Sequence, residues 1–176
     1  EHFGYVDGLS QPLFESQDIL RSKHADGGFS RWDPRAPLSL VLVRDPNGQY
    51  EDSYGSYLVV RKLEQNVKQF NASVNALADT IDASHELAGA YIIGRFKDGS
   101  AVGESASNNQ DPSNNFDFAA DPEANRCPFH AHIRKTNPRG DSVRAIGVSE
   151  EEERGHRIVR RAWSYGSDNR DDEPET

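Results

Sequence analysis

Residues 63–81 read LEQNVKQFNASVNALADTI and carry the clearest periodicity in the chain. Its apolar side chains recur at spacings of 4, 3, 4, 3 and 4 residues, at Leu63, Val67, Phe70, Val74, Leu77 and Ile81. That alternation lines one face of a helix with apolar side chains. The sequence therefore predicts a long amphipathic helix whose stripe packs on a sheet.

The segments around this helix predict an α+β fold. A second, shorter helix is predicted from an N-cap at Ser84 to Gly94. Strands are predicted at residues 38–43, 57–61 and 156–163, where apolar and β-branched side chains alternate or run together. This order of elements is typical of an antiparallel sheet with helices on one face. Three strands are few for it, so we expect a sheet that is incomplete at both ends of the chain.

The remaining segments are polar. Residues 13–37 show no sustained period and are predicted to be irregular, residues 98–125 a long loop, and the acidic run 150–153 a solvated face. Residues 167–176 are acidic and predicted to be a mobile tail or linker. The predicted division is residues 1–37 as a glycine-motif loop with an irregular segment, 38–166 as the main domain, and 167–176 as the tail.

Composition excludes several classes of protein. The 176 residues carry a net charge of −9, the wrong sign for binding nucleic acid or an anionic membrane. No apolar window is long enough to span a membrane, so we expect a soluble protein, either cytoplasmic or exported. The single cysteine, Cys127, excludes an internal disulfide. Because the chain has no methionine and begins at Glu1, we expect that something upstream was removed.

Three groups of residues could carry chemistry. Asp7 lies between two glycines in GYVDG, residues 4–8, where a ligand could approach its carboxylate closely, although Asp-Gly is also a common turn pair. His130 and His132 lie two residues apart in CPFHAH. On an extended backbone both would point to the same side, as a metal site requires, or they could be ordinary surface histidines.

The third group is arginine-rich. On a strand over residues 156–163, Arg160 would share its face with Ile158 and Ala162, whereas Arg161 would lie on the opposite face. An arginine on the inward face needs an anion nearby. The sequence therefore predicts that the adjacent Arg160 and Arg161 lie on opposite faces of the strand.

These groups together resemble the dye-decolorizing peroxidases, a family of haem enzymes. The family pattern has Gly-x-x-Asp-Gly, then Cys-Pro-x-x-Ala-His-x-Arg-Lys-x-Asn-Pro-Arg, then an arginine before Tyr-Gly. Here these correspond to residues 4–8, residues 127–139, and Arg160 with Tyr165 and Gly166. Phe3 and the segments 55–63, 94–95 and 115–117 match the family's intervening sequence as well, so the resemblance covers nearly the whole chain.

The resemblance implies a role for each matching residue. It implies Asp7 on the distal side of a haem b with Arg160 beside it, His132 as the axial ligand of the haem iron, and Arg139 as a partner of a haem propionate. The implied reaction uses hydrogen peroxide to oxidise bulky aromatic donors. Trp163 and Tyr165 follow Arg160 closely and could pass electrons to the haem, or they could be ordinary core aromatics.

The family pattern also implies parts that this sequence does not contain. Members have a further ferredoxin-like domain before the glycine motif and a strand and helix after Tyr-Gly. We therefore expect the remaining segments of the same precursor, or a second chain, to complete a ferredoxin-like sheet and the haem pocket; the oligomeric state stays open. The alternatives are a haem carrier or sensor without turnover, and a non-haem metal-binding or interaction module at Cys127, His130 and His132.

Overall fold

The computed structural model describes residues 3–108 and 112–165. It confirms an α+β fold built from six α-helices and one small antiparallel sheet in this part of the chain. The helices are α1 Ser16–Ala25, α2 Val67–Ile81, α3 His85–Ile93, α4 His132–Thr136, α5 Asp141–Ile146 and α6 Glu150–Gly155. The strands are β1 Val43–Arg44 and β2 Tyr54–Gly55. None of the described helices is long and apolar enough to cross a membrane.

The two helices predicted from periodicity are confirmed. Helix α2 begins four residues after the start of the periodic stretch because the Asn66 side chain caps it, accepting a 2.8 Å hydrogen bond from the Gln69 N–H. Helix α3 is capped by Ser84 and ends at Gly94, whose φ of 96° favours glycine. The stripe of α2 packs on α3 rather than on a sheet, which corrects the predicted partner.

The main core lies beyond α3, in the segment predicted to be a loop. Its described residues form no helix or extended strand, but they supply Ala101, Val102, Phe116 and Phe118 to a fully buried cluster. Phe96 and Cys127 complete the centre of that cluster. Residues 98–108 and 112–125 are therefore irregular in structure but have a structural role, because they supply much of this core.

The strand predictions were largely wrong. Residues 38–40 form a 3₁₀ turn, and β1 pairs with β2 over only two residues on each strand. Segments 57–61 and 156–163 are not paired with any strand in the described part of the chain, and Tyr57 and Val59 are 90% and 83% exposed. A strand needs a neighbour for its backbone hydrogen bonds, whereas a helix satisfies its own.

Other expectations were also corrected. Helix α1 lies within residues 13–37, which were predicted to be irregular, and the acidic run 150–153 forms most of α6. Glu153 is not merely solvated, because its carboxylate accepts hydrogen bonds from the N–H groups of Gly140 and Ser142. The predicted tail, residues 167–176, lies outside the described residues.

Candidate functional site

The structure brings Asp7 and Arg160 together, although they lie 153 residues apart in the sequence. Nη2 of Arg160 donates a hydrogen bond to Oδ1 of Asp7. The Arg160 backbone is held too, because its N–H donates to Oε1 of Gln11 at 3.2 Å. Both ends of Arg160 are therefore fixed by the segment that carries the glycine motif.

The Asp7–Arg160 pair lies at an open cavity of about 330 Å³. One wall is the segment from Asp7 to Asp18, and the other consists of Arg160, Arg161 and Ala162. The side chains of Arg160 and Asp7 are 49% and 29% exposed, so a small molecule in the cavity can reach both. A carboxylate next to a fixed guanidinium can move a proton while the cation stabilises developing negative charge.

Aromatic contacts anchor the start of the motif. Phe3 stacks on Phe70 of α2 with ring centroids 4.4 Å apart, and Tyr5 meets the same ring edge-on. The Tyr5 hydroxyl lies against Gly89 of α3, where a β-carbon would collide with it. Burial and the negative charge of Glu86 raise the pKa of Tyr5 to about 12. The residues just before Asp7 are thus packed on α2 and α3.

Arg139 lies inside the protein, only 3% exposed. Its Nη1 donates to the carbonyl oxygens of Asn114 and Phe116 at 2.8 and 2.7 Å, and its guanidinium lies over the rings of Phe116 and Trp32. Burial and the charges of Arg95 and Arg157 hold its pKa well below the ordinary value for arginine. The predicted contact with a haem propionate stays a prediction.

His132 is the first residue of α4, and its side chain is exposed. The backbone at His130 and His132 is not extended, because the chain turns at residues 129–130 and then enters the helix. His130 lines a mostly apolar cavity of about 540 Å³ with residues of α2 and α3. His132 lines neither this cavity nor the one beside Asp7.

Buried Arg134 fixes the position of α4. It donates to the Asp121 and Asp141 carboxylates at 2.9 and 2.6 Å and to the Cys127 carbonyl oxygen at 2.6 Å. Phe118 lies against its guanidinium at 4.4 Å. The sequence pattern did not single out this role, because periodicity cannot distinguish a buried arginine from a surface one.

Cys127 does not form a metal site with the two histidines. Its thiol is buried in the main core, and burial, with the charges of Asp121 and Asp141 added, raises its pKa to about 11. Among residues 3–108 and 112–165, no three histidine, cysteine or acidic side chains are grouped so that they could hold a metal ion. The non-haem alternative therefore lacks a site in this part of the molecule.

Comparison with known proteins finds relatives along nearly the whole chain. No protein-family model matches the chain. Over 99% of its length it is 45% identical to the multifunctional dye peroxidase DyP2 of an Amycolatopsis strain, and over 80% it is 32% identical to the dye-decolorizing peroxidase msp1 of Mycetinis scorodonius. A crystal structure of a DyP-type peroxidase from Anabaena superposes on 99% of the chain with a TM-score of 0.91 and 53% identity. Over the part of each relative that it covers, this chain is a homologue of the dye-decolorizing peroxidases.

The similarity covers a limited part of each relative. The chain spans 38% of the Amycolatopsis protein, 30% of the Mycetinis protein and 38% of the Anabaena structure. The Amycolatopsis DyP2 structure gives the same share, with a TM-score of 0.83 and 41% identity. The similarity therefore applies to about a third of each relative's length.

Proposed function

We propose that this protein is a haem peroxidase that uses hydrogen peroxide to oxidise bulky aromatic or dye-like donors. The observation that carries the proposal is the pairing of Asp7 with Arg160 at an open cavity. Its relatives are named dye peroxidases, which supports the same reaction class. Asp7 and Arg160 are the proposed catalytic residues.

The residues present are compatible with a haem b. His132 offers a single exposed imidazole, and haem iron needs only one such axial ligand from the protein, whereas a non-haem site needs several. The exposed apolar side chains of segments 57–63 and 158–165 would suit a large apolar macrocycle. When bound, the haem would supply the iron that exchanges electrons with peroxide and with the donor.

Asp7 would act on the protons of hydrogen peroxide. Its carboxylate can accept the proton of one peroxide oxygen and return it to the other. The glycines on both sides, with φ of 86° at Gly4 and 80° at Gly8, let the loop bring this carboxylate to the cavity wall. Arg160 would hold the Asp7 carboxylate in place and stabilise negative charge on the oxygens as they separate.

A carrier or sensor without turnover is the second candidate, and the structure favours it less. A carrier needs an axial ligand but no acid–base group beside a guanidinium at a cavity. The contact between Asp7 and Arg160 spans the chain and is reinforced by Gln11, which binds the Arg160 backbone. An ion pair whose geometry is held by a further hydrogen bond favours catalysis over a carrier or sensor role.

We also propose that a further polypeptide segment covers the extended apolar segments. Residues 57–60 are all more than 80% exposed. Unpaired extended backbone with apolar side chains is a template for pairing with another strand. The remaining segments of the same precursor, or a second chain, are the proposed partners, and they would complete both the sheet and the haem pocket.

The proposed route for electrons from a bulky donor uses Trp163 or Tyr165. The Trp163 ring is 81% exposed, and the Tyr165 hydroxyl donates to the Leu63 carbonyl oxygen at 3.0 Å with the Lys62 ammonium over its ring. Both follow the proposed catalytic Arg160 within five residues. Exposed aromatic side chains of this kind can meet a donor that is too large for the cavity.

The test is the rate at which the haem-loaded protein reacts with peroxide, measured by stopped flow. Asp7→Asn and Arg160→Leu should retain haem but react at least about 10²-fold more slowly, since each removes a typical acid–base or electrostatic contribution. Arg161→Leu is the matched control, because Arg161 donates to the Arg160 carbonyl oxygen rather than to Asp7. Equal losses at Arg160 and Arg161 would contradict the assigned roles.

A further inference from the structure

Ser10, two residues after the glycine motif, is hydrogen-bonded to two buried arginines. Nη2 of Arg95 and Nη2 of Arg139 both donate to Oγ of Ser10, at 3.1 and 2.7 Å. The Ser10 hydroxyl in turn donates to Oδ1 of Asn114 at 2.7 Å. A serine hydroxyl offers one hydrogen and two lone pairs, so all of its capacity is used here.

These bonds hold Ser10 in an unusual backbone conformation. Its φ is 65°, in the left-handed region that residues other than glycine seldom adopt. Such a conformation persists when the surrounding structure over-determines it. Arg95 and Arg139 are 4% and 3% exposed, and both are fixed by backbone carbonyl oxygens as well, so the anchor beneath Ser10 is rigid.

Gln11 connects Ser10 to the proposed catalytic pair of Asp7 and Arg160. Gln11 follows Ser10 directly, and its side-chain oxygen accepts the backbone N–H of Arg160. Asp7 lies three residues before Ser10 and accepts from the Arg160 side chain. The course of the chain through Ser10 therefore sets both groups that bind Arg160.

We infer that Ser10 is a positioning residue: by binding the buried guanidinium groups of Arg95 and Arg139, it fixes the loop that aligns Asp7 with Arg160. Gln11 completes the connection to the Arg160 backbone. The inference rests on the proposed peroxidase function for its kinetic consequence, but the alignment itself is a property of the chain. It also gives Arg139 a role that does not depend on contact with the haem.

The test compares Ser10→Ala with Ser105→Ala in the haem-loaded protein. Ser105 is a matched control, since its half-buried hydroxyl donates to the Ser107 carbonyl oxygen. Ser10→Ala should speed amide hydrogen exchange in residues 4–11 and slow the reaction with peroxide by about tenfold, as small misalignments do. Gln11→Ala should act in the same direction, and it remains informative if Ser10→Ala fails to fold.

A double-mutant cycle separates positioning from a general structural effect. If Ser10 acts through the aligned pair, Ser10→Ala should slow the peroxide reaction much less when Asp7 is already Asn. Equal effects in both backgrounds, or unchanged exchange in residues 4–11 in both Ser10→Ala and Gln11→Ala, would overturn the inference. If the unaltered protein does not react with peroxide, the proposed function fails, while hydrogen exchange alone still decides whether Ser10 fixes the loop.

Discussion

The usual distribution of residues is reversed in two regions of this molecule. The interior contains arginines, and the extended segments expose apolar side chains. Arg95, Arg134 and Arg139 are buried, while the apolar side chains at residues 57–60 and 158 are exposed. The buried arginines bind carboxylates, carbonyl oxygens and aromatic faces of their own chain. The apolar segments have no comparable contacts within the described residues. Arg95, Arg134 and Arg139 therefore find their partners within the chain, whereas we propose that a further polypeptide segment covers the extended segments.

The largest expected effect comes from breaking the interior at Arg134. Arg134→Met leaves Asp121 and Asp141 without their buried cation, and should lower the free energy of unfolding by about 3–5 kcal/mol. Arg144→Met is the control, because Arg144 pairs with the same Asp141 from a partly exposed position and should cost about 1 kcal/mol or less. Urea unfolding measures both. Similar losses in the two variants would contradict the distinction between interior and surface arginines.

Two valines, one buried and one exposed, allow the interior and the extended segments to be compared by mutation. Val74 on α2 is 1% exposed and Val59 in the extended segment is 83% exposed. Val74→Ala should lower the free energy of unfolding by about 2 kcal/mol, from lost burial and the cavity left behind. Val59→Ala should change it by less than about 0.5 kcal/mol in the isolated chain. If Val59→Ala is as costly as Val74→Ala, the isolated chain already covers that segment.

The sequence predicted the helices whose formation depends on residues that are close together in the chain. Helices α2 and α3 were found because the spacing of their apolar side chains and, for α3, the caps Ser84 and Gly94 act within a few residues. Helix α1 was missed because its side chains are too polar to show a stripe, and none of them is buried. The extended segments carry a strand pattern, yet pairing needs a neighbour that no local pattern specifies.

The site was predictable in its residues but not in its arrangement. The motifs at residues 4–8 and 127–139 singled out Asp7 and His132 through the family resemblance. No sequence pattern shows that Ser10 meets Arg95 and Arg139, since these contacts cross 85 and 129 residues. Only the folded chain shows that the motif is anchored on the buried arginines.

Acid is expected to lower the stability of the fold by a smaller amount, through the buried carboxylate of Asp121. Burial alone would raise the pKa of Asp121, but the N–H groups of Cys127 and Arg126 and the charge of Arg134 outweigh it and lower the pKa. The carboxylate therefore stabilises the fold fully above the ordinary aspartate pKa of about 4, and this contribution is lost as the pH falls through the lower, folded value.

Urea unfolding midpoints between pH 7 and pH 2.5 measure this loss. Asp121→Asn should remove part of the acid dependence, while Asp79→Asn, at an exposed position on α2, should leave it in place. An acid dependence that is unchanged in Asp121→Asn would show that this carboxylate does not contribute.

Haem binding by His132→Ala and His130→Ala tests the proposed function most directly. Both imidazoles are exposed and lie two residues apart, so the two variants differ little in their cost to the fold. The measurement is the Soret absorption and ligand-field spectrum after haem is added to the protein in the presence of its proposed partner segment. We expect His132→Ala to lose axial ligation and His130→Ala to keep it; full ligation in His132→Ala, or the reverse pattern, would contradict the assignment.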